Sequence, residues 1–195
     1  MNTDTDTASA ATSSNATPVE LMRTQVRKRA AVAERRRDFR CDPSLRVCVV
    51  GLGYIGLPTA SLLGTKGCKV FGVDVSREVV DTINSGRIHI EEPDLDLLVK
   101  SAVNAGNLLA GTAPIESDVF ILAVPTPILT DKTPDLTMVE AATRSIAPFV
   151  RKGNLVILES TSPVGTTDGV VARILSEFGH KIGADVFVAY CPERV

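Results

Sequence analysis

Tryptophan is absent from this 195-residue chain, and aromatic residues make up only 4% of it against 44% hydrophobic residues in all. The core therefore has to be aliphatic, as in parallel sheets covered by helices. Cysteine is sparse too. Cys41, Cys48, Cys68 and Cys191 form no C-x-x-C pair, which argues against a zinc ribbon or a disulfide scaffold and leads to an expectation of reduced thiols in a cytoplasmic protein. The two histidines, His89 and His180, have no carboxylate or cysteine at metal-ligand spacing, so no metal site is expected. No apolar run approaches the ~20 residues of a membrane span, and the N-terminus lacks the apolar segment of a signal peptide. Charge of one sign is also lacking: the formal net charge is −2. Residues 1–44 hold eight basic and six acidic residues, while the remainder holds 13 basic against 17 acidic. A net negative globular part gives no support for nucleic-acid binding.

What the chain does have is a division at about residue 44. Residues 1–18 are Thr, Ala, Ser, Asn and Asp with little to bury, and are expected to be disordered. Residues 19–40 place Val19, Met22, Val26 and Ala33 at roughly helical spacing among runs such as Arg35-Arg36-Arg37. Such a basic helix can serve a membrane surface or an acidic partner, or be no more than a solvated extension. Residues 45–195 read as one α/β domain, a Rossmann-type doubly wound parallel sheet of about six strands. The strands are expected at 46–50, 69–74, 107–110, 118–124, 155–158 and 186–189. Helices are expected after Tyr54, from Ser76 as N-cap to Asn84, from Pro93 to about Ala105, over 137–150 and over 165–178.

The strongest local signal is Gly51-Leu52-Gly53-Tyr54-Ile55-Gly56, glycines in G-x-G-x-x-G order where the first strand must turn into a helix. Gly51 permits the turn, Gly53 lets backbone approach a pyrophosphate, and Gly56 lets helix and strand pack closely. Free N–H groups at the helix start then favour phosphate. Alone the pattern is weak. Here a second apolar strand ends in Asp74, eighteen positions past Gly56, near the ~20 expected of a ribose-binding acid. A carboxylate there accepts ribose hydroxyls and repels a 2′-phosphate, so the expected cofactor is NAD rather than NADP. Asp74 read blandly is a strand-end turn residue. Arg77 is close enough to serve a phosphate, but it falls in the first turn of a helix, where exposed arginines are common.

Ligands of open parallel sheets bind outside the carboxyl ends of the strands. The fourth strand ends in Val124-Pro125-Thr126-Pro127, the fifth in Glu159-Ser160-Thr161-Ser162-Pro163 and the sixth in Tyr190-Cys191-Pro192-Glu193-Arg194. Thr126 and Thr161 offer hydroxyls to ribose, phosphate or nicotinamide, although Pro, Ser and Thr populate every kind of loop. Glu193 could orient a water or accept a substrate hydroxyl, and Arg194 could pair with a phosphate. Glu159 either faces the same cleft or forms a local salt bridge.

These strings together resemble the UDP-sugar 6-dehydrogenases of the UDP-glucose/GDP-mannose dehydrogenase family. The resemblance is carried by Val50 through Pro58, Gly72-Val73-Asp74, Glu92-Pro93-Asp94-Leu95, Ala123 through Pro127, Pro134-Asp135-Leu136-Thr137, Leu158 through Gly165 and Tyr190 through Val195. Ile88-His89-Ile90 and Cys191-Pro192-Glu193-Arg194-Val195 are more similar to the branch acting on UDP-N-acetyl-D-mannosamine than to the UDP-glucose branch. The likeness runs from about residue 46 to 195. It implies NAD contacts at Gly51, Gly53, Tyr54, Ile55, Gly56, Asp74, Thr126 and Thr161, catalytic roles for Thr161 and Glu193, and substrate contacts at Arg194 and Val195. It also implies a two-step, NAD-dependent oxidation of a 6-hydroxymethyl group to a carboxylate through a cysteine-bound thioester, in an enzyme that is a homodimer or larger. The family's nucleophilic cysteine and a further lysine belong to downstream segments absent from this sequence, and Cys191 does not sit in the family's nucleophile loop. The chain alone is therefore expected to turn over no UDP-sugar. The competing expectations are the corresponding domain of a UDP-glucose or UDP-N-acetylglucosamine 6-dehydrogenase, and a non-catalytic NAD-binding module.

Overall fold

The computed structural model describes residues 42–193. The disorder expected of residues 1–18, the helix expected over 19–40, Cys41, Arg194 and Val195 all lie outside the described residues. From Arg46 the elements are β1 (Arg46–Val50), α1 (Gly56–Thr65), β2 (Lys69–Val73), α2 (Arg77–Asn84), α3 (Leu95–Asn104), β3 (Leu108–Gly111), β4 (Val119–Leu122), α4 (Thr137–Ile146), β5 (Leu155–Ser160), α5 (Arg173–Glu177) and β6 (Phe187–Pro192). The strands form a single parallel sheet in the order β3-β2-β1-β4-β5-β6. This is the doubly wound order of a dinucleotide-binding fold, and its direction of winding reverses between β1 and β4. A crevice opens there, outside the carboxyl ends of the strands.

Alternation along β1 explains both layers. Val47 and Val49 join a core with Leu57 and Ala60 of α1, Ile83 of α2 and Val99 of α3. Cys48 and Val50 point the other way, into a core with Val139 and Ile146 of α4 and Leu175 of α5. With both faces buried, the strand reads as an unbroken apolar run rather than as alternation. Burial holds the Cys48 thiol protonated, pushing it up to about 11. Ser76 caps α2 as its type and position suggest, its Oγ accepting from Val79 N at 3.4 Å.

Four expectations need correction. β6 runs to Pro192 rather than ending at Ala189, because β5 continues to Ser160 and pairs Glu159 with Cys191 and Ser160 with Pro192. A proline is tolerated there because β6 is an edge strand. β4 is shorter than expected at both ends, spanning Val119–Leu122. Asp118 is still bonded to both neighbouring strands, its N–H donating to the Arg46 carbonyl at 2.9 Å and its carbonyl accepting from Leu155 N at 3.2 Å. The helix expected over 165–178 is a π-type segment, Thr167–Ala172, followed by α5. Gly165 and Gly169 at this entry leave the backbone free to take the wider turn. Finally, Cys48 and Cys191 are free thiols but Cys68 is disulfide-bonded; sequence spacing excludes only local pairs. No helix among the described residues is long and apolar enough to cross a membrane.

Candidate functional site

The loop after β1 is built from three glycines with three different requirements. Gly51 has φ +92°, and a Cβ there would lie 2.5 Å from the Ala123 carbonyl oxygen on β4's exit. Gly56 opens α1 so close to the loop that its Cβ would lie 1.8 Å from the Gly51 carbonyl oxygen. Gly53 is different: a Cβ there meets nothing within 4 Å. No contact within the protein requires glycine at 53, so the space beside its backbone is open to a bound group. Tyr54, 61% exposed, stands on the outside of the loop, while Ile55 packs against the core beneath α1.

Asp74, at the tip of β2, reaches across to this loop. Its Oδ2 accepts from Leu52 N at 3.1 Å and its Oδ1 from Ser76 N at 2.9 Å. The carboxylate thus ties the glycine loop to the start of α2. A cavity of about 450 Å³ adjoins it, lined by Gly51, Asp74, Val75, Pro125, Met138 and Ala142 among others. Its volume lies within the range of small-molecule and cofactor sites. Apolar walls with a single carboxylate suit an adenosine, which has an apolar base face and a hydroxylated ribose. The residues present therefore fit the adenosine half of NAD.

Farther along the same edge, Thr126 after β4 and Thr161 after β5 bring their hydroxyls to 3.1 Å. Sheet order β2-β1-β4-β5 sets Asp74, the glycines, Thr126 and Thr161 in succession along one edge. Glu193 follows β6, its N–H donating to the Ser160 carbonyl at 3.3 Å. Its carboxylate is near enough to Glu159 and Cys191 to raise the pKa of both. Partial burial is the larger cause for the Cys191 thiol, and the two carboxylates add to it. Disfavouring the thiolate makes Cys191 a poor nucleophile.

Glu159 forms none of the salt bridges found among the described residues. Its Oε1 accepts from Thr59 Oγ1 of α1 at 3.3 Å, and its Oε2 is buried with no hydrogen-bond partner. Burial raises its pKa, the Thr59 hydrogen bond opposes the shift, and the Glu193 charge adds to it. The folded state therefore binds this proton more tightly than the unfolded chain, and stability is lost as pH rises through the interval between the two pKa values. Glu159→Gln is expected to remove that loss. Thermal melts from pH 4 to pH 8 should show Tm curves that coincide in acid and separate toward neutral pH, the variant higher. The gap should stay under about 3 °C, because partial exposure screens the penalty to below about 1 kcal/mol. A variant that melts lower at neutral pH would mean that the ionised carboxylate stabilises the fold.

Asp74, the glycine loop, Thr126, Thr161 and Glu193 follow one another along the carboxyl ends of the strands. Tyr54 and Ile55 belong to the loop without sharing one face, and Arg194 and Val195 lie outside the described residues. Sequence reasoning missed Thr59, the Glu159 partner, and Tyr190, whose hydroxyl reaches the Thr161 loop. Strand alternation could have found the first. Ile157 packs against the core beneath α1, so Glu159, two residues on, faces the same helix.

Comparison with known proteins gives the family. A family model described as the UDP-glucose/GDP-mannose dehydrogenase family, NAD binding domain, matches residues 45–195. An NDP-N-acetyl-D-galactosaminuronic acid dehydrogenase of Ralstonia solanacearum is 53% identical over 165 residues, covering 81% of this chain and 38% of that protein. The UDP-N-acetyl-D-mannosamine dehydrogenase of Escherichia coli strain K12 is 54% identical over 157 residues, covering 76% and 37%. Among solved structures, the UDP-N-acetyl-mannosamine dehydrogenase Cap5O from Staphylococcus aureus superposes with a TM-score of 0.74 at 43% identity, covering 77% of this chain and 37% of that one. The chain thus spans less than two-fifths of the length of these relatives.

Proposed function

The chain belongs to the UDP-glucose/GDP-mannose dehydrogenase family, as its NAD-binding domain, and from that premise we propose that the complete protein oxidises the C6 alcohol of a UDP-linked sugar to the uronate, with UDP-N-acetyl-D-mannosamine as substrate. The observation that supports this best is the single file of Asp74, Gly53, Thr126 and Thr161 along the carboxyl edge of β2, β1, β4 and β5. Adjacent strands are about 4.8 Å apart, so three steps make a track of roughly 14 Å on which an extended dinucleotide can lie.

NAD, when bound, supplies the hydride acceptor. Asp74 would hold the adenosine ribose, the amides around Gly53 the pyrophosphate, and the Thr126–Thr161 pair the nicotinamide half. Gly51 and Gly56 would shape the loop, with Tyr54 and Ile55 presenting its backbone. Thr161 and Glu193 would order a water beside the reacting carbon, and Arg194 and Val195 would contact the substrate. We place this work in the cytoplasm, in a complete protein of at least two copies.

The 53% identity to an enzyme named for N-acetyl-D-galactosaminuronic acid favours a second reading, in which the substrate is a different N-acetylated hexosamine. NADH formation by the complete protein with each nucleotide sugar separates the two. Activity with UDP-glucose and with no N-acetylated sugar would overturn both. For the chain itself, calorimetric titration is expected to show weak but measurable NAD binding, with Thr161→Ala lowering affinity about three- to tenfold, the worth of one hydrogen bond. No heat at millimolar NAD from folded protein would rule out a competent site.

A further inference from the structure

We infer that Tyr190 is a positioning residue that holds the Thr161 loop in its working shape, an inference that rests on the cofactor role proposed for Thr161. Tyr190 lies on β6 opposite Leu158 of β5. Its side chain runs forward along β5, and its hydroxyl lies 3.0 Å from the Ser160 carbonyl and 3.1 Å from the Ser162 carbonyl, sharing its one proton between them. The reach is set by strand geometry. Two residues of strand cover about 6.6 Å, which a phenol spans and a shorter polar side chain does not.

The two acceptors flank Thr161. The Ser160 carbonyl belongs to the peptide plane before Thr161, and Ser162 N, which donates to Ser160 Oγ at 3.3 Å, belongs to the plane after it. Both planes are held, and with them the direction in which the Thr161 side chain leaves the chain. Inside the arch the Ser160 and Ser162 hydroxyls are in direct contact. From the other side the Glu193 N–H donates to the same Ser160 carbonyl that Tyr190 engages. One carbonyl thus joins the phenol, the Thr161 arch and the backbone of Glu193. Thr161 is exposed at the apex and meets a single side-chain partner, Thr126, at 3.1 Å. A hydroxyl pair of this kind directs a ligand only if the backbone beneath it is held, and Pro163 on one side offers no donor to do so.

Tyr190 is itself partly exposed. Removing its hydroxyl leaves the ring in place and the Ser160 carbonyl still accepting from the Glu193 N–H. The expected cost falls on the order of the arch and not on the fold.

The experiment compares wild type, Tyr190→Phe, Thr161→Ala and the double variant of this chain, by NAD titration, thermal melting and backbone ¹⁵N relaxation. Tyr190→Phe is expected to keep the wild-type Tm within about 3 °C, the worth of one partly exposed hydrogen bond. It should lower the order parameters of Thr161 and Ser162 while those of the β5 strand stay rigid, and weaken NAD about threefold or more. In the Thr161→Ala background the same change should leave NAD affinity where it was, since a residue acting through Thr161 has nothing left to act on. Equal losses in both backgrounds, or unchanged order at Thr161, would overturn the inference. If Thr161→Ala alone leaves NAD affinity intact, the cofactor role of Thr161 fails, and the positioning role falls with it even if the arch loosens. If Thr161→Ala weakens NAD and Tyr190→Phe does not, the positioning role alone fails.

Discussion

Gly53→Ala is expected to weaken NAD binding about 100-fold while leaving the melting temperature unchanged, whereas Gly56→Ala should destroy binding and stability together. A Cβ at 53 meets nothing within 4 Å, and the residue is not held at positive φ. The folded protein therefore has room for alanine. The added methyl instead occupies the space through which the pyrophosphate comes close to the loop amides. Two charge-assisted hydrogen bonds lost or stretched, each worth about 1.5–3 kcal/mol, make a change of at least ~3 kcal/mol, or about two powers of ten. At 56 the new methyl would lie 1.8 Å from the Gly51 carbonyl oxygen and 3.1 Å from the Ala123 Cβ. The first of these is backbone, which no rotamer change relieves. Overpacking of this severity exceeds the usual ~1–3 kcal/mol, and a fall in Tm of roughly 10 °C is expected for a domain of this size. Melting curves and NAD titrations on the two variants give the result. A Gly53→Ala protein that binds NAD like wild type would mean that the phosphates do not lie on this loop.

That contrast also shows where sequence reading succeeds and where it stops. β1, β2 and the turn between β1 and α1 are legible because a short unbroken apolar run, the glycine spacing and the position of Asp74 are all local features of the chain. Ser76 as the cap of α2 was legible for the same reason: an N-cap is decided within four residues. The six-strand order is the one expected of a two-halved dinucleotide-binding fold, which the glycine loop after β1 and the alternating strands and helices point to. The ends of β5 and β6 were not legible. Glu159–Ser160 and Tyr190–Pro192 are strand because each pairs with the other, and neither segment has an apolar run to announce it.

The site divides along the same line. Asp74, Thr126 and Thr161 could be named because strand ends in a parallel sheet share one edge. The Glu159–Thr59 bond and the Tyr190 arch join elements whose mutual placement depends on register and on which face α1 covers. The disulfide at Cys68 departs from the expectation of reduced thiols, because cysteine spacing speaks only to local pairs.

Asp74→Ala is expected to cost NAD about 10- to 100-fold in affinity and to bring the preference over NADP close to parity. The carboxylate has two tasks, and the substitution separates them. In the folded chain it accepts from Leu52 N and Ser76 N, so its removal frees the glycine loop from the start of α2. The loop stays partly solvated, and the Tm should fall only by roughly 5 °C, the worth of two partly exposed hydrogen bonds. Toward the cofactor it would accept ribose hydroxyls, charge-assisted bonds of about 1.5–3 kcal/mol each, and their loss sets the drop in NAD affinity. The 2′-phosphate of NADP meets the opposite situation. A carboxylate about 4 Å from a phosphate charge costs on the order of 4 kcal/mol near a protein surface; removing it restores NADP binding even as NAD weakens. Arg77, exposed at the first position of α2, then becomes a cation that the phosphate can use. The double variant Asp74→Ala/Arg77→Ala should accordingly bind NADP more weakly than Asp74→Ala alone, while binding NAD equally well. Titrations of all three proteins with both cofactors test this. If Asp74→Ala keeps the wild-type ratio of NAD to NADP affinity, the carboxylate only braces the loop, and discrimination must come from elsewhere along the edge.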